Sequence, residues 1–349
     1  MIDFQILLIS EEASLLDALA QLDKSAQKVL FVTQGYKLCA ALTDGDVRRW
    51  ILSKGSLEAK VRDFANYSPK YLPVSDRNQA MTRMLEFHLE ALPLVNEMME
   101  IVDVELIYES DAEIPEPALN LPVVIMAGGL GTRLYPYTKI LPKPLIPIGE
   151  IPIAEHIINS FRKYGCREFL MIVNHKKNMI KAYFNEIVKD YIVEYVDEEK
   201  PLGTGGGLSL LKEKIHTPFI LTNCDVLLKE DYEKMYRYHQ EKGNVITMVC
   251  SLRDFVIPYG VVDMGLDGCI DALREKPHLS FFVNTGVYLV EPEVIEGLQH
   301  DHSISFPAII ENHMRLGDKV GIYPISEYAW MDMGQFDSMD DMIKRIEDK

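Results

Sequence analysis

The chain has few cysteines and none of them close together. The five, Cys39, Cys166, Cys224, Cys250 and Cys269, are widely spaced and odd in number, with no C-x-x-C pair. That pattern argues against a disulfide framework and against a structural zinc site, and points to a reducing cytoplasm. The chain also lacks any apolar run near the roughly 20 residues that a membrane-spanning helix needs, so a soluble protein with no membrane partner is expected. Its N-terminus, MIDFQILLISEEAS, has no basic stretch before the short apolar one and no small-residue cleavage site. It reads as a first β-strand rather than a secretory leader. Positive charge is scarce as well: the formal net charge is -17. A polyanion binder needs a basic stripe to displace counterions, which excludes nucleic acid as a partner. The deficit holds on both sides of residue 113, with 11 Lys/Arg against 19 Asp/Glu before it and 25 against 34 after it. Any phosphate ligand must therefore be met by locally concentrated cations.

At 349 residues the chain is long enough for a catalytic domain and a second small module. Residues Ser110 to Asn120 are polar and carry Pro115 and Pro117, which marks a connection between two differently patterned regions. The division expected is an N-terminal module over 1–112, a linker over 113–120 and a larger domain over 121–349. In the first region, Ser10 is placed to cap a helix whose apolar face is Leu15, Leu19 and Leu22, followed by strand-like runs at 29–32 and 37–42. About 63 residues later the order recurs: Ser75 or Asp76, a helical stretch with Met81, Met84 and Leu85 on one side, then apolar runs at 92–95 and 101–104. A duplicated α/β unit is expected.

Beyond the linker, short apolar runs at 123–126, 169–173, 219–221 and 245–249 alternate with helical patterns. One such pattern puts Ile153, Ile157, Phe161 and Tyr164 on a face and ends at Gly165. This is the rhythm of an open, mostly parallel sheet covered on both faces, in which ligands sit beyond the carboxyl ends of the strands. The first run leads straight into Ala127, Gly128, Gly129, Leu130, Gly131, Thr132 and Arg133. Glycines here allow a sharp turn and bring backbone N–H groups against a polyphosphate; a plain tight turn is the alternative. Arg133, Lys139 and Lys143 follow closely, and Pro136, Pro142, Pro144 and Pro147 predict a stiff, non-helical segment.

The stretch GGLGTRLYPYT (128–138) with PKPLIP (142–147) closely resembles the signature of sugar nucleotidylyltransferases. It differs from a Walker A loop and from the dinucleotide fingerprint. The resemblance covers about 121–340 and implies an α/β Rossmann-like nucleotidyltransferase domain with a mostly parallel mixed sheet. It further implies transfer of a nucleoside monophosphate from a nucleoside triphosphate to a sugar 1-phosphate. The implied nucleotide-binding residues are Ala127, Gly128, Gly129, Gly131 and Thr132, joined by Gly203 and Thr204 of the second glycine-rich segment PLGTGGGL (201–208); a flexible surface loop is the alternative there. Arg133, Lys143 and Lys276 are the implied catalytic cations, the last holding the sugar phosphate. Tyr259, Gly260, Glu275, Asn284, Thr285 and Gly286 resemble the sugar-pocket elements. Asp225, after the run at 219–221, and Asp332, in WMDMG (330–334), match the family's carboxylates for Mg²⁺; a helix cap is the alternative for Asp225. His156, His175 and the other histidines show no ligand spacing and are read as structural.

Residues 1–112 resemble a tandem pair of CBS repeats. In LTDGDVRR (42–49), Thr43 and Asp46 match the pair that contacts a nucleotide, while the second repeat has Leu106 and Glu109 there. Two roles stay open for this module: binding a regulatory nucleotide, or dimerisation into a homo-oligomer without a ligand. A CBS pair ahead of such a domain resembles the guanylyltransferases of bacterial legionaminic acid synthesis, which implies GTP and glucosamine 1-phosphate as partners. Transfer of another nucleotide to another sugar phosphate, and a regulatory protein that binds nucleotide sugars without turnover, remain the alternatives.

Overall fold

The computed structural model describes residues 4–25, 28–87, 89, 91–106, 119–327, 329–334, 339 and 342–344. Glu109 and most of the expected linker, 113–118, lie outside the described residues, as does the side chain of Leu85. The chain divides into two compact units. One is Met1–Ala112 with Arg253–Phe281, and the other is Glu113–Leu252 with Phe282–Lys349.

In the first unit the strand Leu8–Ser10 runs parallel to Val29–Gln34, which pairs antiparallel with Lys37–Thr43. The same pattern recurs when Leu72–Pro73 runs parallel to Ala91–Val95 and that strand pairs antiparallel with Ile101–Leu106. Helix Leu15–Ser25 buries Leu15, Leu19 and Leu22. Its cap differs from expectation. Ser10 closes the first strand, and Ser14 does the capping: its hydroxyl accepts from Asp17 N–H and the Asp17 carboxylate accepts from Ser14 N–H, both at 3.0 Å. The reciprocal pair satisfies two orphan donors at once, which a lone Ser10 four residues too early cannot do. In helix Ala80–Phe87, Met84 is buried, whereas Met81 is 55% exposed and off the apolar face. A separate two-stranded hairpin in this unit pairs Val261–Met264 with Ile270–Arg274.

The second unit holds, among the described residues, a seven-stranded mixed sheet. Its order is Ile192–Asp197, Glu168–Val173, Val123–Ala127, Phe219–Asn223, His278–Val290, Ile246–Val256, Val320–Ile325. The first four strands run parallel, Phe219–Asn223 is antiparallel to His278–Val290, and Ile246–Val256 is parallel to Val320–Ile325. Period-two alternation divides each central strand between two cores. Val123, Ile125, Phe169 and Met171 pack with Ile157 and Phe161 on one face; Val124, Leu170, Ile172 and Phe219 pack with Leu208, Phe306 and Ile309 on the other. Burial on both faces is why these strands read as unbroken apolar runs. At roughly 1.5–3 kcal/mol per buried large aliphatic or aromatic side chain, the two cores fix the strand ends rigidly. Because the four strands are parallel, the residues after Ala127, Val173, Asp197 and Asn223 emerge at one edge.

The proline-rich segment after the first glycine loop is not straight coil. It forms short turns at Thr132–Leu134, Tyr137–Ile140 and Lys143–Leu145. Pro144 sits in the opening of the last turn, where a missing N–H costs nothing. No helix among the described residues is long and apolar enough to cross a membrane.

Candidate active site

The first glycine loop leaves the strand Val123–Ala127 under tight steric limits. Gly131 has φ of 64°, and a Cβ there would approach Thr138 Cγ2 to 2.8 Å. The Thr138 hydroxyl donates to the Gly131 carbonyl at 2.8 Å, closing the loop on the turn that follows. At Gly128 a Cβ would come within 2.8 Å of the Glu198 carboxylate. Arg133, on the turn after the loop, lines a cavity of about 300 Å³ together with Thr204, Asp225, Asn284, Thr285, Gly286 and Asp332. Ala127, Gly129 and Thr132 belong to the loop but not to that lining. Thr43, Asp46, Tyr259, Gly260, Glu275 and Lys276 belong to the other unit.

The second glycine-rich segment is packed, not a free surface loop. Gly203–Gly206 forms one helical turn, and the N–H groups of Gly205 and Gly206 donate to the Ile304 carbonyl at 3.0 and 3.1 Å. A Cβ on Gly203 would meet that carbonyl at 2.7 Å, and one on Gly206 would meet the His302 carbonyl at 2.2 Å. The glycines serve close backbone approach. Thr204 faces the cavity, and its hydroxyl accepts from Phe306 N–H at 3.1 Å.

The two aspartates come together through a short antiparallel pairing. Val226–Leu228 pairs with Trp330–Asp332, Val226 stands opposite Asp332, and Met333 N–H donates to the Asp225 carbonyl at 2.9 Å. Asp225 therefore lies in a strand-to-strand turn and caps no helix; Asp231 performs that task for Tyr232–Lys242. Lys143 and Asp225, 19% and 13% exposed, form an ion pair. Burial works against the Lys143 ammonium, but Asp225 and Asp332 outweigh it and hold its pKa above the usual lysine value. Burial and the Asp225 charge push the Asp332 carboxyl above the usual carboxylate range, opposed by the Gly334 N–H that donates to it.

On the opposite wall, Thr285 turns its hydroxyl away to the Val249 carbonyl at 2.8 Å. Asn284 donates to the Tyr288 hydroxyl at 2.6 Å and accepts from Gly286 N–H. Gly286, at φ of 85°, leaves space for Asn223, whose amide nitrogen would lie 2.4 Å from an added Cβ. In the other unit, Tyr259 and Gly260 precede the hairpin and Glu275 and Lys276 follow it, with Lys276 in a left-handed conformation at φ of 43°. There too, Thr43 and Asp46 form a reciprocal cap at the start of helix Asp44–Leu52, with the Thr43 hydroxyl donating to Asp46 Oδ2 at 2.6 Å.

Sequence reasoning missed Glu198. It follows the strand Ile192–Asp197, its N–H donates to the Val173 carbonyl and its own carbonyl accepts from Asn174 Nδ2, both at 2.9 Å. Only 5% exposed, it projects between the two glycine segments: a Cβ on Gly128 would meet its Oε2 and one on Gly207 its Oε1, at 2.8 and 2.5 Å. Among the described residues Oε1 has no hydrogen-bond partner. Burial pushes its pKa up to about 7, against a bond from the Leu202 N–H. The legible signal was an acidic residue at the carboxyl end of a strand, five before Gly203. The aromatic and proline lining from Tyr288, Phe306, Pro307 and Trp330 was also not foreseen.

The family model "Nucleotidyl transferase" matches residues 122–349, and the chain belongs to that family. Among curated relatives, mannose-1-phosphate guanyltransferase of Pichia angusta is 31% identical over 228 residues, covering 61% of this chain and 60% of that protein. UTP--glucose-1-phosphate uridylyltransferase of Synechocystis sp. is 30% identical over 237 residues, again covering 61% and 60%. The matched part spans about three fifths of these relatives' length. Among solved structures, HddC from Yersinia pseudotuberculosis has a TM-score of 0.52 at 23% identity, covering 65% of this chain and 99% of that one; the same protein complexed with GMP-PN has a TM-score of 0.51. That likeness shows a shared fold, and the family model gives it as the nucleotidyltransferase one.

Proposed function

We propose that the protein is a sugar-1-phosphate guanylyltransferase, joining GMP from GTP to glucosamine 1-phosphate and releasing pyrophosphate. The observation that carries the guanine reading is Glu198, a buried carboxylate between two glycine segments with one oxygen unpartnered among the described residues. A desolvated acceptor of this kind costs free energy until donors reach it. Guanine offers adjacent N1–H and N2–H donors to a carboxylate, and uracil, thymine and cytosine do not present that pair. The relatives named for guanyl transfer to mannose 1-phosphate are consistent with this choice.

Both reactants are anions, so catalysis rests on positioning and on neutralising charge at the transferred phosphoryl group. The Gly128–Gly131 loop faces the β- and γ-phosphates with backbone N–H groups, and Arg133 and Lys143 counter charge around the α-phosphorus. The acceptor's own sugar phosphate is the attacking group. That phosphate is already a nucleophile and needs no general base. Asp225 and Asp332 suit Mg²⁺: they are two hard oxygen donors on one wall, and burial and the Asp225 charge raise the Asp332 carboxyl. An ion held by two carboxylates takes its remaining oxygens from phosphate and water. Bound there, it would neutralise charge on the α- and β-phosphates.

A second acceptor reading has its own support. Among the described residues lining the cavity, the carboxylates are Asp225 and Asp332, and the wall from Asn223, Asn284 and Thr285 is neutral. A neutral hexose 1-phosphate such as mannose 1-phosphate fits such a wall as well as an amino sugar does. The N-terminal module we take as a tandem CBS pair over 1–112, a homo-oligomer contact or nucleotide sensor, and the cytoplasm as the site of action. Pyrophosphate release over GTP, UTP, CTP and dTTP against glucosamine, mannose and glucose 1-phosphates tests the reading. A higher kcat/KM with another triphosphate rejects guanylyl transfer. No release from any pair, with ligand-induced melting shifts, leaves a nucleotide-sugar-binding protein.

A further inference from the structure

We propose that Lys176 is a positioning residue for the first glycine loop, acting through Thr138; this rests on reading that loop as the triphosphate cradle. Lys176 begins the helix Lys177–Glu186 as its N-cap, with φ of 53° and ψ of 30°. A left-handed backbone is unfavourable for a residue with a Cβ, and Lys176 gives the helix no side-chain cap in return. Such strain persists where the surrounding structure over-determines it, and it gathers at functional sites. What this conformation achieves is aim. The Lys176 ammonium donates to the Thr138 carbonyl at 2.8 Å and the Lys139 carbonyl at 2.7 Å. Thr138, 2% exposed, passes the restraint on, because its hydroxyl donates to the Gly131 carbonyl at 2.8 Å and its methyl would lie 2.8 Å from a Cβ at Gly131.

The neighbouring lysines behave differently. Lys177 and Lys181 both pair with Asp197, as surface lysines do. The hydrogen bonds of Lys176 go to neutral carbonyls, so its charge stays uncancelled by them and adds to the positive field at the loop. Lys176, Thr138 and Gly131 thus form one relay from the strand Glu168–Val173 to the loop that leads into Arg133.

The test uses the full chain. Lys176→Met keeps the aliphatic stem and removes charge and donors; Lys176→Arg keeps both; Thr138→Val keeps shape and removes the hydroxyl. Lys176→Met should raise the KM and Kd for the nucleoside triphosphate about tenfold, within the range that a small misplacement of a binding group costs. The KM for sugar 1-phosphate should stay within about twofold and Lys176→Arg should restore most of the loss. Thr138→Val should move the nucleotide KM in the same direction, and the double variant should be no worse than the worse single. Nucleotide constants unchanged in Lys176→Met, or losses for both substrates that track a fall in Tm, would overturn the proposal. Additive losses in the double variant would remove the relay. If the wild-type chain binds no nucleoside triphosphate by calorimetry, the parent reading of the loop fails first.

Discussion

Asp332 stands opposite Val226 in a three-residue antiparallel pairing, and Met333 N–H bonds the Asp225 carbonyl at 2.9 Å, so that the carboxylates of Asp225 and Asp332 share one wall. The consequence is a concentrated negative site with Lys143 already drawn into it. Asp225→Asn should lower turnover at least about 100-fold, since stabilisation of the transferring phosphoryl is lost. The amide keeps the shape and can still accept from Lys143, so the cooperative melt should stay within a few degrees of wild type. Turnover near normal in magnesium would remove both aspartates from the metal assignment.

Chelation gives an independent reading of the same wall. Protein treated with excess EDTA should lose pyrophosphate release and regain it on adding Mg²⁺, because the two carboxylates alone leave the phosphoryl charge unneutralised. Full activity after exhaustive chelation would rule out metal assistance.

Glu198 makes a pH-dependent prediction with a definite sign. Its carboxyl rises from the ordinary 4.5 to about 7 on folding, chiefly through burial. Below pH 4.5 both states are protonated and the group is neutral to stability. Between 4.5 and 7 only the folded state keeps the proton, so this contribution falls as pH rises, reaching a cost of up to about 3 kcal/mol above 7. Glu198→Gln should therefore gain stability over wild type between pH 5 and pH 8, measured as the change in their urea-midpoint difference. Parallel profiles for the two proteins would show that Glu198 does not carry the shift.

The same substitution should weaken GTP binding by roughly 10- to 100-fold, since a glutamine presents an N–H₂ where guanine presents donors. GTP affinity of the wild type should also fall as pH drops through 7 and the carboxylate takes up its proton. Equal GTP affinity in the variant would detach guanine from Glu198 while leaving the family assignment intact.

Gly207 tests the packing around that carboxylate. A Cβ there would approach Glu198 Oε1 to 2.5 Å and Ile172 Cγ2 to 3.0 Å. Gly207→Ala should cost about 1–3 kcal/mol through overpacking, whereas Gly129→Ala, where none of the described residues lies within 4 Å of an added Cβ, should melt like wild type. Equal Tm for the two variants would contradict the close approach.

The N-terminal unit calls for titration of the whole chain with adenine and guanine nucleotides. Thr43 and Asp46 already spend hydrogen bonds on each other, and Asp46 pairs with Arg49, so a regulatory nucleotide must compete with the helix cap. If the unit is a sensor, Asp46→Ala should abolish a second binding event while catalytic-site binding persists. A single event in both proteins would leave association between copies as the better account.

Much of this protein was written locally in the sequence. Runs such as Val123–Met126 and Phe169–Val173 are apolar at every position because each strand faces two cores, and that needs no knowledge of the partners. The glycines of the first loop and the nearby cations were equally visible, since a strand followed by a tight turn and clustered charge are short-range features. Other features depend on contacts between distant segments. That Asp225 and Asp332 meet depends on the register of two short strands far apart in sequence. That Gly203 and Gly206 serve close packing depends on the carbonyls of Ile304 and His302. Glu198 was one acid among three in a row until parallel strand order set its neighbours. Side-chain periodicity reports the face a residue takes; only the folded sheet decides which acid loses its water.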